Sequence, residues 1–296
     1  MQRLAIIARA SSSTNCRLLR AAAGIGLDAS VLAPEEAGRR LGAGDVALVR
    51  LDVRSTLDGP EPGLELLGGL ESESVVVLNP AGALLAAHDK LMTALKLSAA
   101  GLPHPRTAHV GTGSRTKLEF PVVVKPRFGS WGRDVVLCRS SAELERCLRE
   151  IRRKQWFRRQ GALVQELVEP RGYDLRVLVA AGQVVGAVRR VAARGEWRTN
   201  IALGGSRSSA ALSPEACLLA VRTAAAVGMD LVGVDLLPDG DGGWIVLEAN
   251  GAVDFTSDYS LGGGDVFARI LRVLVGSARS NGFRPVSRPL AVAALI

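Results

Sequence analysis

The stretch Gly233-Val-Asp-Leu-Leu-Pro-Asp-Gly-Asp-Gly-Gly-Trp-Ile-Val-Leu-Glu-Ala-Asn250 decides the fold. Its glycines and aspartates at 239–243 are typical of a tight turn, so we expect a β-hairpin with a strand on either side. Asp235 lies in the first strand, whereas Glu248 and Asn250 are two residues apart in the second and therefore face the same side. These carboxylate and amide oxygens predict a site for a hard divalent cation. The alternative is that the acids form salt bridges with nearby arginines.

The composition indicates a chain of about two domains with a sizeable core. It has 296 residues, of which 48% are hydrophobic and 4% are aromatic. So few aromatic residues disfavour a platform that stacks nucleic-acid bases. The net charge of +8 favours acidic or phosphorylated ligands. The four cysteines form no Cys-x-x-Cys pair, no apolar run reaches the roughly 18 residues of a membrane span, and the N-terminal apolar run is too short for a signal peptide. We therefore expect a cytoplasmic protein with reduced thiols and no membrane segment.

Short apolar runs alternate with helical patterns over residues 1–80, which predicts a small domain with a parallel sheet. One long helix is expected over 80–100, because a proline opens it and a glycine closes it. Further along, the patterns predict helices over 140–156, 213–227 and within 263–275, a strand over 163–168 and a hairpin over 174–191. Residues 279–296 are predicted to be a proline-broken tail.

A lysine and a glycine-rich turn give a second chemical signal. The run Phe120-Pro-Val-Val-Val-Lys-Pro126 predicts a buried strand that carries Lys125, and Gly129, Ser130 and Gly132 follow it. Glycines let backbone N–H groups approach an anion, and lysine adds a positive charge for phosphate. The pattern is neither a Walker P-loop nor a Gly-x-Gly-x-x-Gly fingerprint, and an ordinary hairpin turn would also explain it. Phosphate binding upstream of a cation site indicates a magnesium-nucleotide.

Six motifs in a fixed order resemble the ATP-grasp superfamily and, within it, the RimK/LysX group of amino-acid ligases. They are Val123-Val-Lys-Pro126, Gly129-Ser-Trp-Gly-Arg133, Gln165-Glu-Leu-Val168, Asp174-Leu-Arg176, Trp197-Arg-Thr-Asn200 and Asp235…Glu248-Ala-Asn250. The resemblance implies an α/β and α+β fold. A small parallel-sheet, pre-ATP-grasp domain over residues 1–80 would precede an ATP-grasp domain over 81–278, whose two subdomains clasp the nucleotide.

The resemblance also implies roles for individual residues. The ATP-binding set would be Lys90 and Lys125 at the phosphates, Gly129, Ser130 and Gly132 over them, Gln165, Glu166 and Leu167 at adenine, Asp174 at ribose, and Arg198. Arg198 and Asn200 would be catalytic, at the γ-phosphate and the acyl-phosphate. Asp235, Glu248 and Asn250 would bind magnesium, with two ions expected and Mn²⁺ as an alternative.

The implied reaction is ATP-dependent formation of an amide bond. ATP phosphorylates a carboxylate, and an amine then attacks the acyl-phosphate. The resemblance implies addition of glutamate or a related acidic amino acid to an acceptor, which includes an acidic carrier or target protein. Arg189 and Arg190 either hold a substrate carboxylate or form a solvated strand end. Leu203 and the segment after Asn250 depart from the family pattern and leave the acceptor open.

Two other classes of function stay open at this point. One is a nucleotide-binding regulatory module without turnover, and the other is a basic nucleic-acid-binding protein, which the few aromatic residues disfavour. Residues 146–159 contain seven lysines and arginines, which form either a solvated helix face or a docking patch for an acidic protein. The sequence does not specify an oligomeric state, and a homo-oligomer is one option.

Overall fold

The computed structural model describes residues 3–111 and 116–280, which form one parallel and two antiparallel β-sheets with helices packed around them. This architecture confirms the predicted α/β and α+β fold class. From residue 281 onward, the tail predicted over 279–296 lies outside the described residues. Within the described ranges, no helix is both long and apolar enough to cross a membrane.

The N-terminal sheet is parallel, with strand order β2-β1-β3-β4. Its strands are β1 (Arg3–Ile7), β2 (Asp28–Leu32), β3 (Val46–Val49) and β4 (Val76–Leu78), and its helices are α1 (Ser13–Gly24), α2 (Pro34–Arg40) and α3 (Leu67–Ser72). All four residues of β3 are buried, as expected for a parallel strand that is covered on both faces. The parallel sheet predicted for this region is confirmed.

The single helix predicted over 80–100 is wrong, because the structure has two helices there, α4 (Ala81–His88) and α5 (Lys90–Ala99). Asp89 separates them with a ψ of 101°, and its carboxylate accepts hydrogen bonds from two backbone N–H groups of α5. Aspartate is a preferred helix N-cap, so it begins a new helix here. Arg127 holds the same carboxylate through contacts of 2.7 and 2.5 Å.

The central sheet is antiparallel, with strand order β5-β8-β6-β7. Its strands are β5 (Thr107–Val110), β6 (Val122–Pro126), β7 (Val136–Cys138) and β8 (Ala162–Glu166), and its helices are α6 (Ser141–Ile151) and α7 (Gln155–Gln160). The single helix predicted over 140–156 is therefore wrong. The start of α7 is held separately, because the Asp134 carboxylate accepts a hydrogen bond from Trp156 Nε1 at 2.8 Å and pairs with Lys154.

The C-terminal sheet is antiparallel, with strand order β11-β10-β9-β12-β13. Its strands are β9 (Tyr173–Ala180), β10 (Gln183–Val191), β11 (Ser206–Ser209), β12 (Leu231–Pro238) and β13 (Trp244–Asn250), and its helices are α8 (Pro214–Val227) and α9 (Val266–Ser280). Both predicted hairpins are confirmed. The sequence does not predict β11, because all four of its residues are polar and exposed at the sheet edge and so lack an apolar alternation.

The two faces of the C-terminal sheet carry different residues. Leu175 and Val177 pack in an apolar cluster with α8, whereas Leu178 packs in a second cluster with α9. Side chains alternate along a strand, so Asp174 and Arg176 share the α9 face with Leu178. They lie beyond the apolar cluster on that face. The charged end of the face is therefore available to line a site.

A loop over residues 52–62, here called the strap, follows β3 in the N-terminal region and packs against the central sheet. Leu57 in the strap is 5% exposed and packs within the apolar cluster of the central sheet. The neighbouring Asp58 carboxylate accepts hydrogen bonds from Thr56 Oγ1 and Arg159 Nη1, each at 2.6 Å. A residue of the first predicted domain thus belongs to the core of the second.

Replacing Leu57 by alanine should lower the free energy of unfolding by about 2–5 kcal/mol, the range for truncating a buried leucine. The backbone φ of Leu57 is 58°, and alanine retains the Cβ that makes this conformation costly, so the comparison isolates packing. Urea unfolding followed by tryptophan fluorescence measures the change. The matched control is Leu66→Ala, a side chain that is 41% exposed, where we expect a change below about 0.5 kcal/mol. Equal effects of the two substitutions would contradict the burial of Leu57.

Candidate active site

The central and C-terminal sheets enclose a cleft of about 1020 Å³, including its open mouth. The sequence-predicted residues that line it are Lys90, Lys125, Gly129, Ser130, Gly132, Gln165, Glu166, Leu167, Asp174, Arg190, Arg198, Asn200, Asp235 and Glu248. Asn250 lines a neighbouring cavity instead, and Arg189 lines neither space. The structure therefore brings together most of the predicted site.

Two lysines meet at this cleft from different elements. Lys125 lies buried near the end of β6, and its Nζ donates to Gln165 Oε1 at 2.6 Å. Lys90, the first residue of α5, donates to the carbonyl oxygen of Gly129 at 2.6 Å and lies 3.4 Å from a Glu248 oxygen. Burial, reinforced by the charge of Lys90, lowers the pKa of Lys125 to about 8, and Glu248 acts in the opposite direction. An anion bound beside both lysines would favour the protonated form of Lys125.

The glycine loop, residues 127–135, touches the segment that carries the predicted catalytic residues. Arg198 Nη1 donates to the carbonyl oxygen of Gly132 at 3.1 Å. A Cβ at Gly132 would lie 2.8 Å from Asn200 Oδ1, and φ there is 69°, so both space and conformation require glycine. Glu196 holds Arg198 at 3.0 and 2.7 Å, and these hydrogen bonds lower the pKa of Glu196 to about 2. Loop and arginine segment form one wall of the cleft.

The lining continues along the end of β8. Gln165 accepts from the buried lysine and donates to Thr107 Oγ1 at 2.8 Å, so both ends of its amide are engaged. The strand ends at Glu166, two residues before its predicted end, and Leu167 continues along the cleft without strand pairing. Glu169 is an exposed acid in the same lining. It is absent from the predicted site because a lone glutamate in a loop forms no pattern.

A row of charged side chains crosses the C-terminal sheet on the face that meets the cleft. The strand register pairs Arg190 with Asp174 on β9 and with Arg207 on β11. It also pairs Asp235 with Arg176 on β9 and with Glu248 on β13. Directly opposite residues of an antiparallel pair share a face. We call this row the charge ladder: Arg207, Arg190, Asp174, Arg176, Asp235 and Glu248.

Asp235 is paired on both carboxylate oxygens. It is 1% exposed and accepts hydrogen bonds from Arg176 Nε and Nη2 at 2.6 Å each and from Arg190 Nη2 at 2.8 Å. Burial alone would raise the pKa of Asp235, but the two guanidinium groups outweigh it and hold the pKa well below its usual range. The alternative from the sequence, an acid paired with arginines, describes this residue in the structure.

The predicted metal ligands differ in how available they are. Glu248 lies at the cleft, 3.4 Å from Lys90. Asn250 uses its amide nitrogen, which donates to the carbonyl oxygen of Gly233 at 3.4 Å, so its amide oxygen is the end suited to a cation. Over residues 3–111 and 116–280, no three His, Cys, Asp or Glu side chains are grouped to hold a metal ion. The oxygen donors of Asp235, Glu248 and Asn250, on two paired strands, still fit the chemistry of Mg²⁺.

Arg189 and Arg190 do not act together. They are consecutive on β10 and therefore point to opposite faces of the sheet. Arg190 is 4% exposed and belongs to the charge ladder. Arg189 is exposed, and its guanidinium carbon lies 3.8 Å from the ring centroid of Tyr173. A joint clamp on one substrate carboxylate is therefore wrong.

A second cavity, of about 780 Å³ with its opening included, adjoins the cleft. The residues that line both spaces are Ser130, Trp131, Arg190, Asn200 and Glu248. Asn250 and Asp52 line only the second cavity. The two spaces thus meet at the glycine loop and at Asn200, so two molecules could lie side by side across this boundary.

The fold is that of the ATP-grasp proteins. Residues 82–274 match the RimK-like ATP-grasp domain, and the chain belongs to that family. It is 32% identical over 252 residues to a probable alpha-L-glutamate ligase of Aeromonas salmonicida (strain A449), a match that covers 82% of each chain. It is 33% identical over 201 residues to the beta-citrylglutamate synthase B of Homo sapiens, covering 65% of this chain and 51% of that protein.

Solved structures share the fold at lower sequence identity. The RimK domain protein ATP-grasp from Sphaerobacter thermophilus has a TM-score of 0.65 at 23% identity, covering 90% of this chain and 97% of that one. The ATP-grasp ligase PsnB, complexed with minimal precursor, Mg and ADP, has a TM-score of 0.66 at 18% identity, covering 93% and 98%. These likenesses confirm the ATP-grasp fold.

Asp235→Asn should lower the free energy of unfolding by about 3 kcal/mol. It removes the carboxylate that Arg176 and Arg190 share at 2.6–2.8 Å and leaves Arg176 only the more distant Glu248, at 3.9 Å. Asparagine has nearly the same shape, so the loss reports charge rather than volume. Denaturant unfolding at neutral pH measures it. The matched control is Asp241→Asn in the exposed turn of the same hairpin, which should change stability by less than about 0.5 kcal/mol. If Asp235→Asn lowered the free energy of unfolding no more than Asp241→Asn does, the ion pairs would not stabilise the sheet.

Proposed function

We propose that this protein is a magnesium- and ATP-dependent ligase that joins a carboxylate to an amine through an acyl-phosphate, adding glutamate or a related acidic amino acid to an acceptor. The observation that carries the proposal is the convergence of Lys90, Lys125 and Arg198 on one cleft that also contains Glu248. Cations beside a metal-ligand acid suit a metal-chelated polyphosphate. The name of one relative, a probable alpha-L-glutamate ligase, points to the same chemistry.

We assign the phosphates of ATP to Lys90 and Lys125, with the glycine loop covering them. Lys90 also fixes the loop through its bond to a loop carbonyl. Glu166 and Leu167 are assigned to adenine because they follow the cleft where β8 ends. Gln165 is a positioning residue, since its amide oxygen holds Lys125.

The ribose contact predicted for Asp174 receives little support from the geometry. Asp174 is fully buried, Arg190 binds it through two nitrogens, and Thr199 Oγ1 donates to it at 2.6 Å. We therefore assign Asp174 to the support of Arg190. Glu169, which is exposed in the same cleft, is the acid that we assign to the ribose hydroxyls.

We assign magnesium to Asp235, Glu248 and Asn250, where it would neutralise charge on the phosphates. Two ions, or Mn²⁺ in place of Mg²⁺, are further parts of this proposal. To serve as a ligand, Asp235 must release guanidinium groups. Arg176 and Arg190 would then direct their charge toward the phosphates, so no positive charge would be left unpaired.

The proposed reaction has two steps and uses no nucleophile of the protein. A carboxylate oxygen of one substrate attacks the γ-phosphorus, and ADP leaves. The neutral amine nitrogen of the other substrate then attacks the acyl carbon, and phosphate leaves with the proton that the nitrogen gives up. Arg198, oriented by Glu196, would stabilise charge on the transferring phosphoryl group. Asn200 lines both spaces and would orient the acyl-phosphate at their boundary.

An acidic target protein is our proposal for the acceptor. The exposed arginines of residues 146–159 that pair with no acid in the described ranges are Arg146, Arg149, Arg152, Arg153 and Arg158. Trp156 and Phe157 are each 3% exposed and cannot stack on bases, which disfavours nucleic acid. A homo-oligomer would not be needed for this docking.

We place the protein in the cytoplasm, where ATP is available, and its four cysteines are free. We also propose the domain limits 1–80 and 81–278, with the strap as the part of the first domain that packs into the second. The proposed function does not involve a membrane.

Incubation with ATP, MgCl₂, single amino acids and candidate acceptors, including acidic proteins, tests the proposed function. We expect ADP only when an acidic amino acid and an acceptor are both present, and a product whose mass is their sum minus water. Glu248→Gln should reduce ADP formation by about 100-fold or more. ATP binding without ADP formation for any pair would favour the regulatory module. A mobility shift with RNA at about 0.15 M salt would favour the nucleic-acid alternative.

ATP binding at pH 8.5 should be accompanied by uptake of up to one proton per site. The pKa of Lys125 is about 8 in the free protein, and polyphosphate should raise it, so affinity should fall as pH rises above 8. Calorimetry in buffers of different ionisation enthalpy measures the proton uptake. Lys125→Arg is the control, because arginine stays protonated and should bind ATP without proton uptake. Equal uptake by the variant would show that another group titrates.

A further inference from the structure

We propose that Asp52 and Arg207 are the residues of the second cavity that recognise the amine substrate, a free α-amino acid, with Asp52 binding its ammonium group and Arg207 its α-carboxylate. This inference rests on the proposed function, because it names the residues that would hold the molecule that attacks the acyl-phosphate. Both residues line the cavity, and neither belongs to the sequence-predicted site. Asp52 comes from the base of the strap and Arg207 from the edge strand β11.

Asp52 is held firmly at the cavity wall. Its backbone N–H donates to Glu61 Oε2 at 2.9 Å, and its carbonyl oxygen accepts from the Glu61 N–H at 2.6 Å. The preceding carbonyl oxygen lies 2.8 Å from His88 Nε2. Asp52 Oδ1 accepts from the Val53 N–H at 2.6 Å, whereas no described residue bonds to Oδ2. A positioned carboxylate oxygen with spare capacity suits an ammonium donor.

The wall around Asp52 has a surplus of negative charge. Asp254 lines the same cavity, its side chain is half exposed, and Arg50 Nη2 lies 3.3 Å from it. Arg50 is buried and also donates to Asn15 Oδ1 at 2.7 Å. Its Nη1 is buried without a hydrogen-bond partner among the described residues, so the cluster is not closed on itself. One buried guanidinium therefore faces two carboxylates, and a substrate ammonium would balance them.

Arg207 is the arginine of the charge ladder with spare hydrogen-bonding capacity. Its nearest charged partner in the described chain is Asp258, at 3.7 Å, which is beyond hydrogen-bond distance. Arg176 and Arg190, by contrast, are bound by buried carboxylates of the ladder. A guanidinium fork can hold a carboxylate through two parallel hydrogen bonds. Arg207 is therefore the group in this cavity that best suits a free carboxylate.

A carboxylate at Asp52 and a guanidinium at Arg207 in one cavity together indicate the chemical class of the ligand. A simple amine would leave Arg207 unused, and a simple carboxylic acid would face the surplus charge of Asp52 and Asp254. A free α-amino acid carries one ammonium group and one carboxylate group and so matches both residues. Asn200 lies at the boundary with the cleft, so the bound nitrogen is next to the space where the acyl-phosphate would form. The ammonium group would pass one proton to the Asp52 carboxylate and attack as the neutral amine.

Calorimetry with a non-hydrolysable ATP analogue, magnesium and L-glutamate as the probe tests the inference directly. We expect Asp52→Asn and Arg207→Gln each to weaken glutamate binding by about 10- to 100-fold, the cost of losing one charged hydrogen-bond partner. N-acetylglutamate and glutamate α-amide should bind the wild type more weakly by similar factors. The acetyl penalty should disappear in Asp52→Asn and the amide penalty in Arg207→Gln, because each variant lacks the group that the analogue fails to use. Arg207→Lys should recover part of the affinity.

Asp241→Asn and Arg40→Gln are the controls, since both residues are exposed and line neither space. They should bind glutamate and the nucleotide like the wild type. Variants that bind glutamate normally, or analogue penalties that persist in them, would overturn the inference while ADP formation still supports the ligase. Absence of ADP formation in the wild type would overturn the proposed function, whereas the binding data would still report whether the cavity accepts an amino acid.

Discussion

The buried carboxylate of Asp235, shared between Arg176 and Arg190, is the interaction on which both the C-terminal sheet and the cleft depend. Removing three charged groups from water is costly, and the cost is offset only when hydrogen-bond geometry is good. Here the contacts tie β9, β10 and β12 together at 2.6–2.8 Å. A one-residue slip of any of these strands would turn its charged side chain to the apolar face, so the ion pairs also fix the register.

The charge ladder balances its own buried charges in the absence of a ligand. Each buried arginine of the ladder pairs with a carboxylate of this chain, so no buried positive charge is left unpaired. A polyphosphate and a cation that enter together bring both signs of charge. The ladder could then exchange partners so that each buried charge again faces one of opposite sign, which costs less free energy than burying an unpaired charge.

The sequence predicts those parts of the fold and site that local patterns encode. The hairpin with Asp235 and Glu248 follows from turn residues and the two-residue period of a strand, and the lysine before the glycine loop is equally local. The break at Asp89 depends on a contact with Arg127, far along the chain. The arginine partners of Asp235 become visible only through strand register, which no local pattern gives.

The two-residue period of a strand separates some candidate site residues and leaves others unidentified. Consecutive residues of a strand face opposite sides, so Arg189 and Arg190 could not have formed one clamp. Glu169 and Asp52, in contrast, lie in irregular segments with no period to identify them. Only the folded chain places them at the two spaces.

The strap restricts how the central sheet can move away from the C-terminal sheet when the cleft widens. The central sheet is joined to the C-terminal sheet by the chain between β8 and β9, which alone would permit a swinging motion. The strap adds an anchor from another direction, with Leu57 seated in the core of the central sheet. A body held at two separated points cannot rotate about one of them without disturbing the other. If the strap stays with the N-terminal region, widening of the cleft requires Leu57 to leave this apolar core, in addition to any change in the chain between β8 and β9.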